Sequence, residues 1–265
     1  MLRAMKPQIR HMLGGLSHSA AQKSYLRQIV FNAMLKRSEE MMQLHEIEEM
    51  RFLAHVFQRL PSANAQILQD LWVTYETSEA RGRFFVEFGA TNGKTNSNTL
   101  LLEQGFGWTG ILAEPNPFWH ADLARNRSCI IEHRCVAGRS GETVEFLATD
   151  DSDPELSTLA SYAANDHFAA VRSTAPRMAV ETLSLNDMLE LHGAPREIGY
   201  MSVDTEGSEY EILEAFDFDR YDVRLFSIEH NSTPNEGAIQ TLMEANGYIR
   251  KFPEFSQWDA WYVRR

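Results

Sequence analysis

The sequence predicts an α/β fold: a doubly wound, mostly parallel sheet with a helical extension ahead of it. Three observations carry this. Short apolar runs alternate with helical runs over roughly 180 residues, the rhythm of repeated βαβ units. The run Phe84–Phe88 delivers the chain to Gly89, a strand ending in the kind of turn found at the ligand edge of parallel sheets. The last two apolar runs, Tyr248–Phe252 and Ala260–Arg264, flank Pro253–Asp259 and read as an antiparallel hairpin, a departure from the dinucleotide folds.

The elements follow in chain order. Ser24–Lys36 sets Leu26, Ile29, Val30, Ala33 and Met34 at helical spacing, and a second helical run, Glu39–Leu60, stops at Pro61. After the strand Phe84–Phe88, Thr95–Gly105 reads as a helix with Leu100, Leu101 and Leu102 apolar and Gly105 as its stop. Gly110–Ala113 is the second strand, Pro117–Asn126 a helix and Cys129–His133 a third strand. Gly141–Leu147 reads as a small strand. Ser184–Leu191 is a helix in which Ser184 caps the amino end and Asp187 stands at the capping-box position. Ile198–Asp204 is the fourth main strand, Ser208–Phe216 its helix, Val223–His230 the fifth strand, and Asn235–Asn246 a helix closed by Gly247. Thr149–Pro176 is the least regular stretch; its place between the third and fourth main strands suits a lid over the acceptor side.

Two strand-end acids suggest a ligand. In Glu87-x-Gly89-x-x-x-Gly93, Gly89 permits the turn and Gly93 would let a ligand approach the backbone. Glu87 would repel a phosphate and suits a cationic group such as the amino group of a methionine moiety. Glu114, 27 residues on and followed by Pro115, ends the second strand, where a carboxylate accepts both ribose hydroxyls of an adenosyl group. Together they favour S-adenosylmethionine over a dinucleotide. Ala90, Thr91 and Asn92 lie in the glycine loop, and Asn98 opens the next helix; with Glu87, Gly89, Gly93, Glu114, Pro115 and Asp204 they form the expected donor site.

The blocks FVEFGATNGKTNSNT, GILAEPNP, MSVDTEGSEYEIL and FSIEHN resemble those of the FkbM-type methyltransferase family. The likeness runs from about Gln69 to the C-terminus, and its most specific block is Val203–Glu209. It implies a class I methyltransferase fold with a seven-stranded sheet, and O-methyl transfer to a hydroxyl of a sugar, glycan or hydroxylated small metabolite. The expected organisation is an extension over residues 1–60 and a methyltransferase domain over 61–265.

The donor methyl is already activated, so the enzyme aligns an acceptor oxygen and removes its proton. Asp204 and Glu206 follow the fourth strand; Glu229, His230 and Asn231 end the fifth. Two schemes stay open. In one, Asp204, Glu229 and His230 hold Mg²⁺ or Mn²⁺, which lowers the acceptor's pKa. In the other, His230 or Asp204 is a general base with no metal, and Glu206 stands close by. Glu209 and Glu211 read either as surface charges or as charges at a helix start, favoured there by the dipole. His120, His133, His167 and His192 belong to no acid-paired motif and read as structural.

The 265 residues, 43% hydrophobic, are ample for a sizeable core. Cys129 and Cys135 suggest a reducing compartment, and no run approaches the ~18 apolar residues of a membrane span; the expected location is cytoplasmic. Residues 1–37 hold seven Lys/Arg and no Asp/Glu in a chain of net charge −12. That start reads as helices packing on the domain or on a second copy, a route to a homo-oligomer, while the acidic remainder argues against nucleic acid. Two other functions compete with methyl transfer: a nicotinamide-dependent oxidoreductase, and a catalytically idle adenosyl-binding scaffold. The missing Gly-x-Gly-x-x-Gly turn weighs against the first, and the clustered strand-end acids against the second.

Overall fold

A computed structural model describes residues 48–149, 157–162 and 175–265. The chain divides into two units, Met1–Ala54 and His55–Arg265; the second contains every element discussed below except the first two turns of a helix. That helix, Glu48–Arg59, runs into a 3₁₀ turn at Leu60–Ser62, where Pro61 cannot continue it. The helical run Ser24–Lys36 and residues 39–47 of the second expected run lie outside the described residues.

Thirteen strands are described: β1 Phe84–Phe88, β2 Thr109–Ala113, β3 Ile130–Glu132, β4 Cys135–Ala137, β5 Thr143–Leu147, β6 Thr158–Leu159, β7 Arg177–Ser184, β8 Glu197–Ile198, β9 Tyr200–Val203, β10 Asp222–Val223, β11 Leu225–Glu229, β12 Tyr248–Lys251 and β13 Asp259–Arg264. Seven of them form one sheet in the order β12-β13-β11-β9-β1-β2-β3. All neighbours are parallel except β13, which is antiparallel to both β11 and β12. The expected seven-stranded, mostly parallel sheet with its terminal hairpin is therefore present. The order reverses between β1 and β9, the switch point at which open α/β sheets hold ligands.

Both faces of the sheet are covered, as a parallel sheet requires. On one face Met201, Val203, Phe226, Ile228, Tyr248 and Tyr262 are buried with Leu213, Ile239 and Met243 of the helices Glu209–Glu214 and Asn235–Ala245. On the other, Trp72 from the helix Gln69–Glu76 stacks on Trp261 at 5.1 Å and meets Tyr200 edge-on at 6.4 Å. Each large apolar side chain so buried contributes about 1.5–3 kcal/mol. Side-chain alternation fixes what stands above these layers. In register, Glu87 pairs with Ser202, Ser202 with Ser227, and Ser227 with Trp261, so all four share the Trp72 face.

Three expectations need correction. The helix expected from Thr95 begins at Leu100, because Ser97, Asn98 and Thr99 are drawn inward to Glu87; Gly105 lies inside it, and Gly107, at φ 66°, is the left-handed cap. The strand β7 is absent from the expectations, since its alternating Met178, Val180 and Thr182 run directly into the Ser184 cap, which does accept from the Asp187 amide at 3.1 Å. It pairs with β4 and β5 in a second sheet, β4-β7-β5-β6. Within the expected lid, β6 is a strand of that sheet, whereas residues 150–156 and 163–174 lie outside the described ones.

Candidate active site

Glu87, one residue before the end of β1, is buried. Its oxygens accept from Ser97 Oγ at 3.0 Å, from the Asn98 amide at 2.8 Å and from Thr99 Oγ1. The buried Arg127 guanidinium stands 3.6 Å away. It also donates to Gly93 O, Ser97 Oγ, Thr99 Oγ1 and, at 2.6 Å, Glu103 Oε2. Glu87 thus fastens the loop that leaves β1, and its carboxylate faces that loop's own donors. Gly89, at φ 63°, is required by close approach, since a Cβ there would stand 2.3 Å from the Asp204 carbonyl oxygen. Gly93 has a different role from the expected one: a Cβ would meet Leu123 and Arg127 at 2.6 Å, so its bareness admits the Pro117–Asn126 helix and the residue after it. Ala90 is buried and its amide reaches Ala113 O at 3.3 Å, while Asn92 Oδ1 accepts from the Lys94 and Thr95 amides and shapes the turn. Asn98 is buried, donates to Ser202 Oγ at 2.8 Å, and its Oδ1 has no hydrogen-bond partner among the described residues.

Glu114 follows β2. One oxygen accepts from the Thr91 amide at 2.8 Å and the other from the Asn116 amide at 2.7 Å. Pro115 between them is half-buried. Burial pushes the carboxyl up to about 7, with the two amides opposing and the Asp204 charge adding to the rise. Each oxygen keeps a further lone pair beyond the amide it holds.

Across the switch point the acids gather. Asp204, Glu206 and Glu229 each bring a carboxylate oxygen within 4.8 Å of the others. Glu206 reaches the group through a backbone at φ 59°, the strained left-handed region that recurs at functional loops. A fourth acid, Asp259, opens β13 directly opposite Glu229. Burial, then Asp204, pushes Asp259 up to about 7. Burial also raises Glu229 well above the carboxylate range, helped by Asp204, Glu206, Glu209 and Asp259. Glu209 is no surface charge: it is buried and its Oε1 accepts from the Thr205 amide, Thr205 Oγ1 and the Gly207 amide, closing the loop that carries Glu206.

His230 does not join this group, and strand alternation is the reason. Successive residues of a strand face opposite sides, so Glu229 meets the acids while His230 turns away. Its Nδ1 accepts from the Ser232 amide at 3.0 Å, and its Nε2 stands 3.4 Å from Arg250 and 3.7 Å from Glu236. Burial holds its pKa below the usual histidine value, against Glu236 and with Arg250. The trio is therefore Asp204, Glu206 and Glu229 rather than Asp204, Glu229 and His230. Asp259 escaped notice because an acid before an apolar strand reads as part of the hairpin turn; only the cross-strand register brings it to the site. His192 does have an acid, Glu132 at 2.9 Å, hidden by a sequence separation of 60. His120 and His133 lie against each other at 3.9 Å between ring centroids, and His167 lies outside the described residues. Within the segment expected as a lid, Ser157 accepts from Asn116 Nδ2 at 3.0 Å and Thr158 donates to the Glu206 carbonyl at 2.9 Å.

No helix of the described residues is long and apolar enough to cross a membrane. Among solved structures the chain is similar to a precorrin-6y C5,15-methyltransferase from Geobacter metallireducens GS-15, at 10% identity and TM-score 0.38 over 75% of this chain and 86% of that one. It is also similar to a TehB-like SAM-dependent methyltransferase from Corynebacterium glutamicum, at 8% identity and TM-score 0.38 over 80% and 96%. Nothing about this chain rests on likenesses so distant. No curated protein matches it in sequence. Residues 87–262, from the Glu87 anchor through β13, match the Methyltransferase FkbM domain, and with that span covering most of the sequence the chain belongs to the FkbM methyltransferase family, whose methyl donor is S-adenosylmethionine.

Proposed function

We propose that the protein transfers the donor methyl to a hydroxyl of an uncharged acceptor, a sugar, glycan or hydroxylated small metabolite, with help from a divalent cation. The observation that supports this most is the convergence of Asp204, Glu206 and Glu229 on the Trp72 side of the switch point, where Gly89 abuts Asp204. So many acids repel an anionic acceptor. They are hard oxygen donors at a spacing that fits one Mg²⁺ or Mn²⁺, and such an ion, when bound, supplies charge that lowers the acceptor hydroxyl's pKa. Asp204, the most exposed of the three, takes the hydroxyl proton as the acceptor oxygen attacks. The new C–O bond forms as the C–S bond breaks, leaving a neutral thioether. In this reading His230 takes no part in proton transfer.

On the donor side, Glu114 accepts the ribose hydroxyls while the Thr91 and Asn116 amides hold it, with Gly89, Ala90, Thr91 and Asn92 lining the loop and Pro115 the rim. Asn98 Oδ1 is the acceptor offered to the donor's ammonium, and Glu87 and Gly93 shape the loop from behind. Family membership removes the nicotinamide reading; the idle scaffold is tested directly. Purified protein incubated with radiolabelled S-adenosylmethionine and a panel of neutral glycans and polyols should label at least one acceptor. Activity lost to EDTA and restored by Mn²⁺ supports the cation, whereas full activity after exhaustive chelation leaves Asp204 acting alone. Asp204→Asn should cut turnover by roughly 10²–10⁴-fold, the usual worth of a general base, with donor affinity nearly intact; unchanged turnover would place the chemistry elsewhere.

A further inference from the structure

Ahead of β1, and ahead of the matched family span, the segment Asn64–Gln69 lies across both halves of the site. At one end, Asn64 Nδ2 donates to two carbonyls of the glycine loop, Lys94 O at 2.7 Å and Ser97 O at 2.8 Å. Ala65 pairs with Asn96, itself at φ 59°. At the other end, Gln69 is buried and used from both sides. Its Oε1 accepts from the Ile67 amide at 3.0 Å, and its Nε2 donates to Asp259 Oδ2 at 2.9 Å. Between the ends the backbone is locked by the buried Asp70, whose Oδ2 accepts from the Asn64 and Ala65 amides at 2.6 and 3.1 Å. Leu68 turns at φ 70° to bring Gln69 inward. A six-residue segment bonded so fully behaves as one body, because each amide it spends internally is one fewer freedom to bend.

We infer that Asn64 and Gln69 are positioning residues of the transfer reaction: Asn64 sets the shape of the donor loop, and Gln69 ties that loop to the acid edge through Asp259. Neither touches a reactant. Asn64 acts through Lys94 and Ser97; Ser97 in turn donates to Glu87, so the strap and Glu87 grip the loop from opposite sides. The loop backbone is strained at Thr91 and Asn96, and strain of this kind persists only where the surroundings over-determine it.

The inference rests on the loop after β1 being the donor site, and S-adenosylhomocysteine binding to the full chain, followed by calorimetry, separates the two claims. Isosteric changes avoid a packing defect. Asn64→Asp keeps the shape but turns a carboxylate onto two carbonyls; Gln69→Glu keeps the acceptor for the Ile67 amide but sets a carboxylate against Asp259. Thermal melts confirm that each variant is folded at the assay temperature. Phe218→Leu, in the core of the opposite sheet face, serves as a control for general destabilisation. We expect Asn64→Asp to weaken binding at least tenfold, Gln69→Glu two- to fivefold, and Phe218→Leu less than twofold. Folded Asn64→Asp within twofold of wild type overturns the inference. Loss in Asn64→Asp with no change in Gln69→Glu overturns the link to the acid edge. A Phe218→Leu loss equal to that of Asn64→Asp shows general loosening and overturns the positioning role. Wild type that fails to bind at all overturns the donor reading itself, and the inference with it.

Discussion

At the carboxyl ends of β1 and β2, Glu87 and Glu114 are met by N–H and O–H donors, five of them backbone or hydroxyl groups, and Glu87 by Arg127 as well. A few strands away along the same sheet edge, Glu229 and Asp259 sit in register with each other, and each is pushed upward by burial and then by the Asp204 charge. The residue types are the same and the burial is similar, so the neighbours decide what a carboxylate does. Glu87 is a finished piece of structure, its charge already met by Arg127, whereas burial still lifts Glu114 to about 7. The β9–β11–β13 edge stores repulsion that a bound cation would relieve.

That contrast can be broken most sharply at Arg127. Replacing it with methionine leaves the buried Glu87 and the half-buried Glu103 without their cation, and urea unfolding should show a loss of about 3–5 kcal/mol. The carboxyls that burial raises, Glu114 after β2 and Asp259 at the acid edge, predict a dependence on pH. Glu114 and Asp259 rise from ordinary values of 4.5 and 3.8 to about 7. Between pH 5 and 7 the folded chain therefore holds protons that the unfolded chain has released. Stability is highest at the acid end of that window and falls as pH passes through 7, by up to roughly 3 kcal/mol for each group at about 1.4 kcal/mol per unit. Melting the metal-free protein from pH 5 to 8 should show a falling midpoint, and saturating Mn²⁺ should flatten the slope.

Glu114→Ala removes a charge-assisted acceptor of the ribose and should weaken S-adenosylhomocysteine binding by about 1.5–3 kcal/mol; calorimetry showing an unchanged constant would remove Glu114 from the donor site. The smallest effect is the most telling. Glu229→Gln keeps the shape of a carboxyl that burial and its acidic neighbours already push towards the neutral form, so metal-free stability at pH 7 should change by less than about 1 kcal/mol, or rise, since a neutral buried group needs no counter-charge. A loss comparable to that of Arg127→Met would mean that the two edges are built alike.

Much of the frame was legible in the residues. The strand Phe84–Phe88 and the helix Pro117–Asn126 appear with the boundaries read from their apolar runs and flanking Gly and Pro. Local signals sufficed there because local turn chemistry and helix caps determine those ends. The site was legible by position but not by direction. Glu87 and Glu114 stand at the expected strand ends, yet what their oxygens face depends on Ser97, Thr99, Arg127 and three backbone amides, contacts that no spacing announces. His230 beside Glu229 looks like a second ligand in a linear reading, and the two-residue period of a strand sends it to the other face. Asp259 and Gln69 could not be paired from sequence at all, being 190 residues apart.

That separation has a consequence for how the chain comes to be active. The strand β13 inserts between β11 and β12, so neither of those has its full complement of partners until residues 259–264 have been made. During synthesis an emerging chain can form β1, β2, β9 and β11, with their helices, well before Asp259 exists to meet Gln69. Contacts of such long range are the slow ones to form. A nascent chain, or one truncated before residue 259, therefore presents the open edge of β11 to whatever strand it meets. Loss of residues 259–265 would produce an aggregation-prone chain rather than a slightly weaker enzyme.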